Sequence, residues 1–154
     1  MSTLSLFDII GPNMVGPSSS HTAGALAISR MAIAQLDGAI TSVTFTLYGS
    51  FANTYEGHGT DKALLGGVLG YDTADPRIKQ AFAHAKASGI DYAFVPDFET
   101  DADHPNTVDI TIRTATGYTR VVRGISTGGG AAELVFSTSC DTPMSKVEVS
   151  PQYL

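Results

Sequence analysis

The sequence predicts an α+β fold, in which an antiparallel or mixed sheet is covered on one face by helices. Helix-like apolar periodicity is concentrated in the first half of the chain, and alternating, strand-like segments are concentrated in the second half. The chain has 154 residues, of which 43% are apolar and 16% are charged. This length and composition are enough for one domain with its own hydrophobic core.

The first half of the chain begins with a short apolar stretch over residues 4–10, which predicts one helical turn. Apolar positions spaced three and four residues apart between residues 26 and 36 predict a helix that starts at the serine-rich residues 18–22. Residues 40–48 are rich in Val, Thr, Phe and Ile with an alternating pattern, and they predict a strand.

Two further helices are predicted before the remaining strands. Apolar residues that follow positions 57–61 predict one helix, and the pair Gly66 and Gly67 inside it favours close packing against another helix. Asp75 as an N-cap and Pro76 in the first turn predict one continuous helix up to about residue 88.

The second half of the chain contains the remaining predicted strands. They cover residues 92–95, 108–114, 118–125 and 133–137. The middle two flank a short turn that ends at Gly117 and therefore predict a hairpin. Residues 1–140 are expected to form one domain, followed by a polar C-terminal tail over residues 141–154.

The composition excludes several classes of function. A net charge of −6 and a pI near 4.9 argue against nucleic acid as a partner. No apolar run approaches the roughly 18 residues of a membrane span, and the first residues lack the basic start of a signal peptide, so we expect a cytoplasmic protein with no membrane partner. Cys140 is the single cysteine, so we expect no disulfide framework and no metal or cofactor site within this chain.

The first candidate site is the run Ser18-Ser19-Ser20-His21-Thr22 at the predicted start of a helix. The first N–H groups of a helix have no intrahelical partner and lie at the positive end of its dipole. Together with the hydroxyl groups, they could hold a carboxylate or a phosphate. The dipole also favours a neutral His21, which could accept a proton or polarise a substrate oxygen. The alternative interpretation is a plain N-cap with surplus serines.

The second candidate site is Gly57-His58-Gly59-Thr60-Asp61. Glycines on both sides of the histidine let backbone and substrate approach closely. Thr60 or Asp61 could cap the next helix, and Asp61 could orient the imidazole. The alternative interpretation is a histidine in a flexible turn.

Three weaker candidates complete the set. The segment His104-Pro105-Asn106-Thr107 has the composition of a turn. The glycine-rich residues 128–130 could cradle a phosphate, but a tight corner between strands is the favoured interpretation. His84 is expected to be a solvated residue in the middle of a helix.

These segments together resemble one family of proteins. The motifs that carry the resemblance lie, in this order, at residues 7–12, 16–24, 48–52, 57–61, 104–107 and 128–130. Over about residues 5–136, the chain is similar to the beta chain of the iron–sulfur-dependent L-serine dehydratases (L-serine ammonia-lyases), which is also the N-terminal domain of their single-chain versions. It is similar as well to the allosteric substrate-binding domain of some phosphoglycerate dehydrogenases.

The resemblance implies a reaction that converts L-serine into pyruvate and ammonia. It implies a [4Fe-4S] cluster held by cysteines of an alpha chain, with an iron atom that acts as a Lewis acid on the substrate hydroxyl. One cysteine cannot hold such a cluster, so the chain is expected to be incomplete and inactive alone. The implied partners are the alpha chain and L-serine, in a homodimer or an alpha–beta hetero-oligomer.

The resemblance also implies roles for individual residues at an active site shared with the alpha chain. His58 is expected to perform acid/base chemistry, with His21 in support. The expected substrate-binding residues are Ser18, Ser19, Ser20, Thr22, Thr60, Asp61, His104 and Asn106. Two alternatives stay open, namely a purely regulatory serine-binding module and a small-molecule-binding protein unrelated to serine.

The C-terminal part departs from the family pattern. Beta chains of the two-subunit type usually continue after the last strand into a small ACT regulatory module. This chain stops soon after Cys140, so we expect either an excised domain or a variant that lacks the module. Regulation through an ACT module is therefore not assigned to it.

Overall fold

The computed structural model describes residues 15–34 and 36–141. The predicted turn over residues 4–10 and nearly all of the predicted tail lie outside the described residues. Within them the fold is α+β, as predicted, and combines helices with a five-stranded mixed sheet. None of the helices described is long and apolar enough to cross a membrane.

The helices lie mainly in the first half of the chain. A π-helical turn, Ser19–Ala23, leads directly into α1, Gly24–Ile33. It is followed by α2 (Gly49–Thr54), α3 (Thr60–Val68), a 3-10 turn (Pro76–Gln80) and α4 (Ala81–Ala87). The carboxylate of Asp75 caps the 3-10 turn by accepting the N–H of Arg77 at 2.9 Å, as predicted. The helix predicted to start there is divided into the 3-10 turn and α4, and α2 was not predicted.

The five strands form one mixed sheet. They are β1 (Ile40–Tyr48), β2 (Asp91–Asp97), β3 (Asn106–Thr114), β4 (Tyr118–Gly128) and β5 (Ala131–Asp141). Their order across the sheet is β2-β1-β3-β4-β5. The pair β1–β2 is parallel because its connection contains α2, α3 and α4, whereas the other neighbouring strands are antiparallel.

The glycine-rich segment is the corner between β4 and β5. Gly128 pairs with Ala131, which leaves Gly129 and Gly130 as a two-residue turn with φ angles of +61° and +84°. Positive φ at both positions is the requirement of the hairpin turn that matches the twist of the strands. The favoured interpretation of this segment as a strand-to-strand corner is confirmed.

The core lies between the helices and one face of the sheet. Its largest fully buried side chains include Leu26, Ile28, Phe45, Leu47, Phe51, Leu64, Leu65, Ile110 and Ile112. A Cβ atom added to Gly67 would lie 2.6 Å from the carbonyl oxygen of Leu26 and 2.6 Å from Cβ of Ser29. The predicted close packing at this glycine pair is therefore confirmed. Because Gly67 has no side chain, α3 packs closely against α1. The contact brings the serine-rich segment before α1 near the His58 loop before α3.

A polar network occupies the opposite face of the sheet. Arg123 donates from Nε and Nη2 to the two carboxylate oxygens of Asp109, both at 2.7 Å, and the Tyr48 hydroxyl donates to the same carboxylate at 2.8 Å. Tyr48 and Asp109 are only 1% and 4% exposed. Burial raises the pKa of the Tyr48 hydroxyl, which keeps it protonated as a donor. The network therefore satisfies a buried carboxylate with two donor side chains.

Candidate functional site

The serine-rich segment is built around the ring of His21. Ser18 is the N-cap of the π-helical turn, and its Oγ accepts the N–H of His21 at 3.4 Å. Nδ1 of His21 lies 2.9 Å from Oγ of Ser20 and 3.2 Å from Oγ of Ser18. The Thr22 hydroxyl donates to the carbonyl of Ser18. Two of the hydroxyl groups predicted to bind substrate, those of Ser18 and Ser20, therefore contact the imidazole of His21.

The other ring nitrogen of His21 is held by a residue 29 positions away. Nε2 lies 2.8 Å from Oγ of Ser50, in the first turn of α2. Ser50 also donates its backbone N–H to the carbonyl of Pro105 at 2.7 Å, next to Gly49 with φ of +55°. A Cβ atom at Gly49 would meet that carbonyl oxygen at 2.7 Å, so glycine permits the contact. Ser50 was not predicted as a site residue, although the motif over residues 48–52 contains it.

His58 lies against His21. The two ring centroids are 4.9 Å apart with an angle of 82° between the planes, and Phe51 contacts His21 in a similar edge-on arrangement at 5.4 Å. Burial, and then the neighbouring His58, lower the pKa of His21, so the ring stays neutral near pH 7. The lowered pKa agrees with the prediction of a neutral His21. Its largest cause is burial, whereas the prediction was based on the helix dipole. Nδ1 of His58 is buried and has no hydrogen-bond partner within the described part of the chain.

Neither Thr60 nor Asp61 caps α3, although one of them was predicted to do so. Gly59, with φ of +72°, is the N-cap of α3, and no side chain caps this helix. Asp61 accepts the N–H of Lys62 at 2.7 Å, and burial raises the pKa of its carboxyl group. Asp61 makes no hydrogen bond to Nδ1 of His58, which has no partner among the described residues, so the predicted orientation of the ring by Asp61 stays a prediction. Thr60 is fully buried, with a hydroxyl that has no partner among the described residues.

The segment with His104 and Asn106 docks on α2. Nδ1 of His104 accepts the N–H of Asn106 at 3.1 Å, and the carbonyl of His104 accepts the Thr107 hydroxyl at 2.6 Å. Asn106 also forms an isolated β-bridge with Gly49, and its side-chain Oδ1 is buried and unpartnered within the residues described. The chain bends at residues 103–105, but Asn106 and Thr107 begin β3 and do not lie in a turn as predicted; the carbonyl of Pro105 supports the position of Ser50. Among the described residues, no side-chain hydrogen bond joins His104 or Asn106 to the imidazole of His21 or of His58.

A cleft of about 270 Å³ opens beside His58. Its lining consists of Val15, Gly16, Pro17, Thr22, Glu56, Gly57, His58, Gly59, Lys62, Ile78 and Lys79. Thr22 is therefore the one predicted substrate-binding residue that reaches the cleft from the serine-rich segment. Ser19 makes no side-chain hydrogen bond with the described residues.

The donor set of the chain does not fit an iron–sulfur cluster. Within residues 15–34 and 36–141, no three or more side chains of His, Cys, Asp or Glu are arranged to hold a metal ion. A [4Fe-4S] cluster is held by about four cysteine thiolates, and this chain has Cys140 alone.

The fold and the site define an α+β domain that presents a pair of contacting histidines beside a small polar cleft. The profile of the family described as "Serine dehydratase beta chain" matches residues 2–134. The chain therefore belongs to the serine dehydratase beta chain family, as its motifs indicated.

Individual relatives agree with this assignment. The chain is 47% identical over 135 residues to the L-serine dehydratase beta chain of Peptoniphilus asaccharolyticus. This alignment covers 88% of this chain and 61% of the relative. It is 50% identical over 130 residues to the probable L-serine dehydratase beta chain of Bacillus subtilis (strain 168), with coverage of 84% and 58%. It is 38% identical over 88 residues to an L-serine dehydratase of Streptomyces coelicolor, with coverage of 49% and 19%. The chain thus spans about three fifths of the beta chains that it matches.

Proposed function

We propose that this chain is the beta subunit or domain of a cytoplasmic L-serine dehydratase, which converts L-serine into pyruvate and ammonia together with an alpha chain. The family assignment supports the class of enzyme. The observation that carries the proposal is the pair of histidines, because His58 lines the cleft and contacts a second imidazole that is held at both nitrogens.

The reaction must remove a proton from Cα of serine and release its hydroxyl group. Imidazole is the most common group for proton transfer in enzymes, and a base must reach the proton that it takes. His58 borders the cleft, so we assign it the acid/base role there. His21 lies behind His58, and its lowered pKa keeps it neutral; we assign it the support of the His58 ring.

The residues of the serine-rich segment have two different roles in this proposal. The hydroxyl groups of Ser18 and Ser20 contact Nδ1 of His21, so we assign them to the orientation of that ring. Thr22 lines the cleft and stays a candidate for substrate contact. Oγ1 of Thr60 and Oδ1 of Asn106 are buried and have no hydrogen-bond partner among the described residues, so we assign them no direct contact with substrate.

The [4Fe-4S] cluster belongs to the alpha chain in this proposal. The donor set of the present chain does not fit the cluster, so this chain contributes protein side chains to a shared site. We therefore expect the chain alone to lack L-serine dehydratase activity.

The test is to express the chain with and without the alpha chain under anaerobic conditions and to measure pyruvate from L-serine. We expect activity in the complex with the alpha chain and no activity in the isolated chain. His58→Ala in the complex should lower kcat by about 10²–10⁴, the usual contribution of a general acid or base. His58→Asn should not restore kcat, because an amide cannot take up the proton.

His84→Ala is the matched control. His84 was expected to be solvated, but it is half-buried and its Nδ1 lies 2.7 Å from the Tyr71 hydroxyl. Its loss should lower stability without a large change in kcat. Turnover of serine by the isolated chain, or a normal kcat in the His58→Ala complex, would contradict the proposal. Serine binding without any effect of His58 on kcat would favour a regulatory module.

A further inference from the structure

The cleft beside His58 contains charged side chains to which the mechanism above gives no role. Lys62 and Lys79 both line it, and neither forms an ion pair with any of the described residues. Among the described residues, Glu56 is the one carboxylate in the lining, and Val15 and Ile78 add apolar surface. Two cations and one anion therefore border a space that also reaches an imidazole.

The fold brings the two lysines to the same cleft from separate elements. Lys62 lies in the first turn of α3, whereas Lys79 lies in the 3-10 turn before α4. Gly66 permits this approach, because a Cβ atom there would lie 3.2 Å from Cγ1 of Ile78, the neighbour of Lys79. This contact packs the 3-10 turn against α3, and both elements thereby contribute a lysine to the lining of the cleft.

The charges match a small zwitterion. We propose that Lys62 and Lys79 bind the carboxylate of an α-amino acid in this cleft, and that Glu56 binds its ammonium group. The lysines provide ammonium donors for a carboxylate, and a charge-assisted hydrogen bond is stronger than a neutral one. The inference rests on the proposed function for the choice of L-serine as the amino acid.

One observation favours this location over the serine-rich segment, and a second favours a ligand of the size of an amino acid. The hydroxyl groups of Ser18 and Ser20 already contact His21, which leaves them less available to a carboxylate. The cleft volume of about 270 Å³ also lies near the lower limit of ordinary ligand pockets. That size suits an amino acid better than a nucleotide or a large cofactor.

The experiment compares Lys62→Met and Lys79→Met with the unchanged protein in two measurements. The first is the KM for L-serine of the complex with the alpha chain. The second is a titration of the full chain, labelled with ¹⁵N, with L-serine, glycerate and ethanolamine. We expect each lysine variant to raise the KM or Kd for L-serine by about tenfold or more, with a smaller change in kcat. Glycerate, which lacks the ammonium group, and ethanolamine, which lacks the carboxylate, should both bind more weakly than L-serine.

Two further variants separate charge from structure. Lys62→Arg keeps the cation and should retain most of the affinity. Lys86→Met changes an exposed lysine of α4 outside the cleft lining and should leave KM and Kd unchanged. Urea unfolding of every variant checks that the fold is kept.

The outcomes distinguish this inference from the proposed function. Weaker L-serine binding in both Lys→Met variants supports the inference even if the complex forms no pyruvate, in which case the proposed function fails alone. Pyruvate formation with an unchanged KM in both variants overturns the inference and leaves the proposed function in place. Equal binding of L-serine and ethanolamine also overturns it, because the carboxylate would then make no contribution.

Discussion

Replacement of Ser50 by alanine removes one hydroxyl group that joins α2 to His21. Oγ of Ser50 lies 2.8 Å from Nε2 of the imidazole. The backbone N–H of Ser50 donates to Pro105, and its carbonyl accepts the Thr54 hydroxyl at 2.6 Å. Both backbone contacts survive the substitution, so the change deletes a side-chain hydrogen bond and leaves the helix itself intact.

The expected magnitude follows from the surroundings of the ring. His21 is half-buried between Phe51 and His58, so water has limited access to its Nε2. A buried polar atom that loses its partner costs about 1–3 kcal/mol. Ser50→Ala should therefore lower the free energy of unfolding by about that amount. It should also lower kcat of the complex by less than His58→Ala does, since Ser50 acts through His21.

The assay is urea unfolding followed by circular dichroism. Ser50→Thr keeps a hydroxyl group and should recover part of the stability. Ser19→Ala is the matched control, because the Ser19 side chain makes no hydrogen bond with the described residues, and it should be nearly neutral. A double-mutant cycle with His21→Ala should give a coupling energy of about 0.5–3 kcal/mol.

The cycle also gives the result that refutes this reasoning. If Ser50→Ala lowers the unfolding free energy equally in the presence and absence of the His21 imidazole, the hydroxyl does not bind the ring. A loss from Ser19→Ala as large as that from Ser50→Ala would lead to the same conclusion.

The remaining predictions concern stability. Because the pKa of His21 is lowered in the folded protein, its contribution is complete above the ordinary value of 6.5 and is lost as pH falls toward the lowered pKa. Urea unfolding at about pH 7.5 and about pH 5.5 should show that loss, and His21→Gln should reduce it. Gly67→Ala should cost about 1–3 kcal/mol, measured by the same method, because its Cβ would lie 2.6 Å from the carbonyl of Leu26; an unchanged midpoint would contradict the close packing. Asp109→Asn should destabilise the protein by up to about 3 kcal/mol, since Arg123 would lose its ionic partner, and the added change Arg123→Met should recover part of the loss.

Much of the fold could be predicted from the sequence because its signals are local. The period of the apolar residues identified α1 and the strands, and Asp75 identified the start of the 3-10 turn. The glycines at residues 128–130 and at Gly67 were interpreted correctly, because a two-residue turn and a close helix contact each impose a steric requirement that glycine meets. The start of a helix at the serine-rich segment was also predicted, although its first turn is π-helical.

The sequence by itself thus determined the fold class and the family, and it predicted the two segments that contain His21 and His58. Only the tertiary structure decided which side chains meet there. Ser50 contacts His21, Nδ1 of His58 has no partner among the described residues, and Lys62 lines the same cleft as Lys79. The physical reason is that a helix cap or a turn depends on neighbours within a few residues. A hydrogen bond across 29 residues, by contrast, depends on how α1, α2 and α3 pack on the sheet.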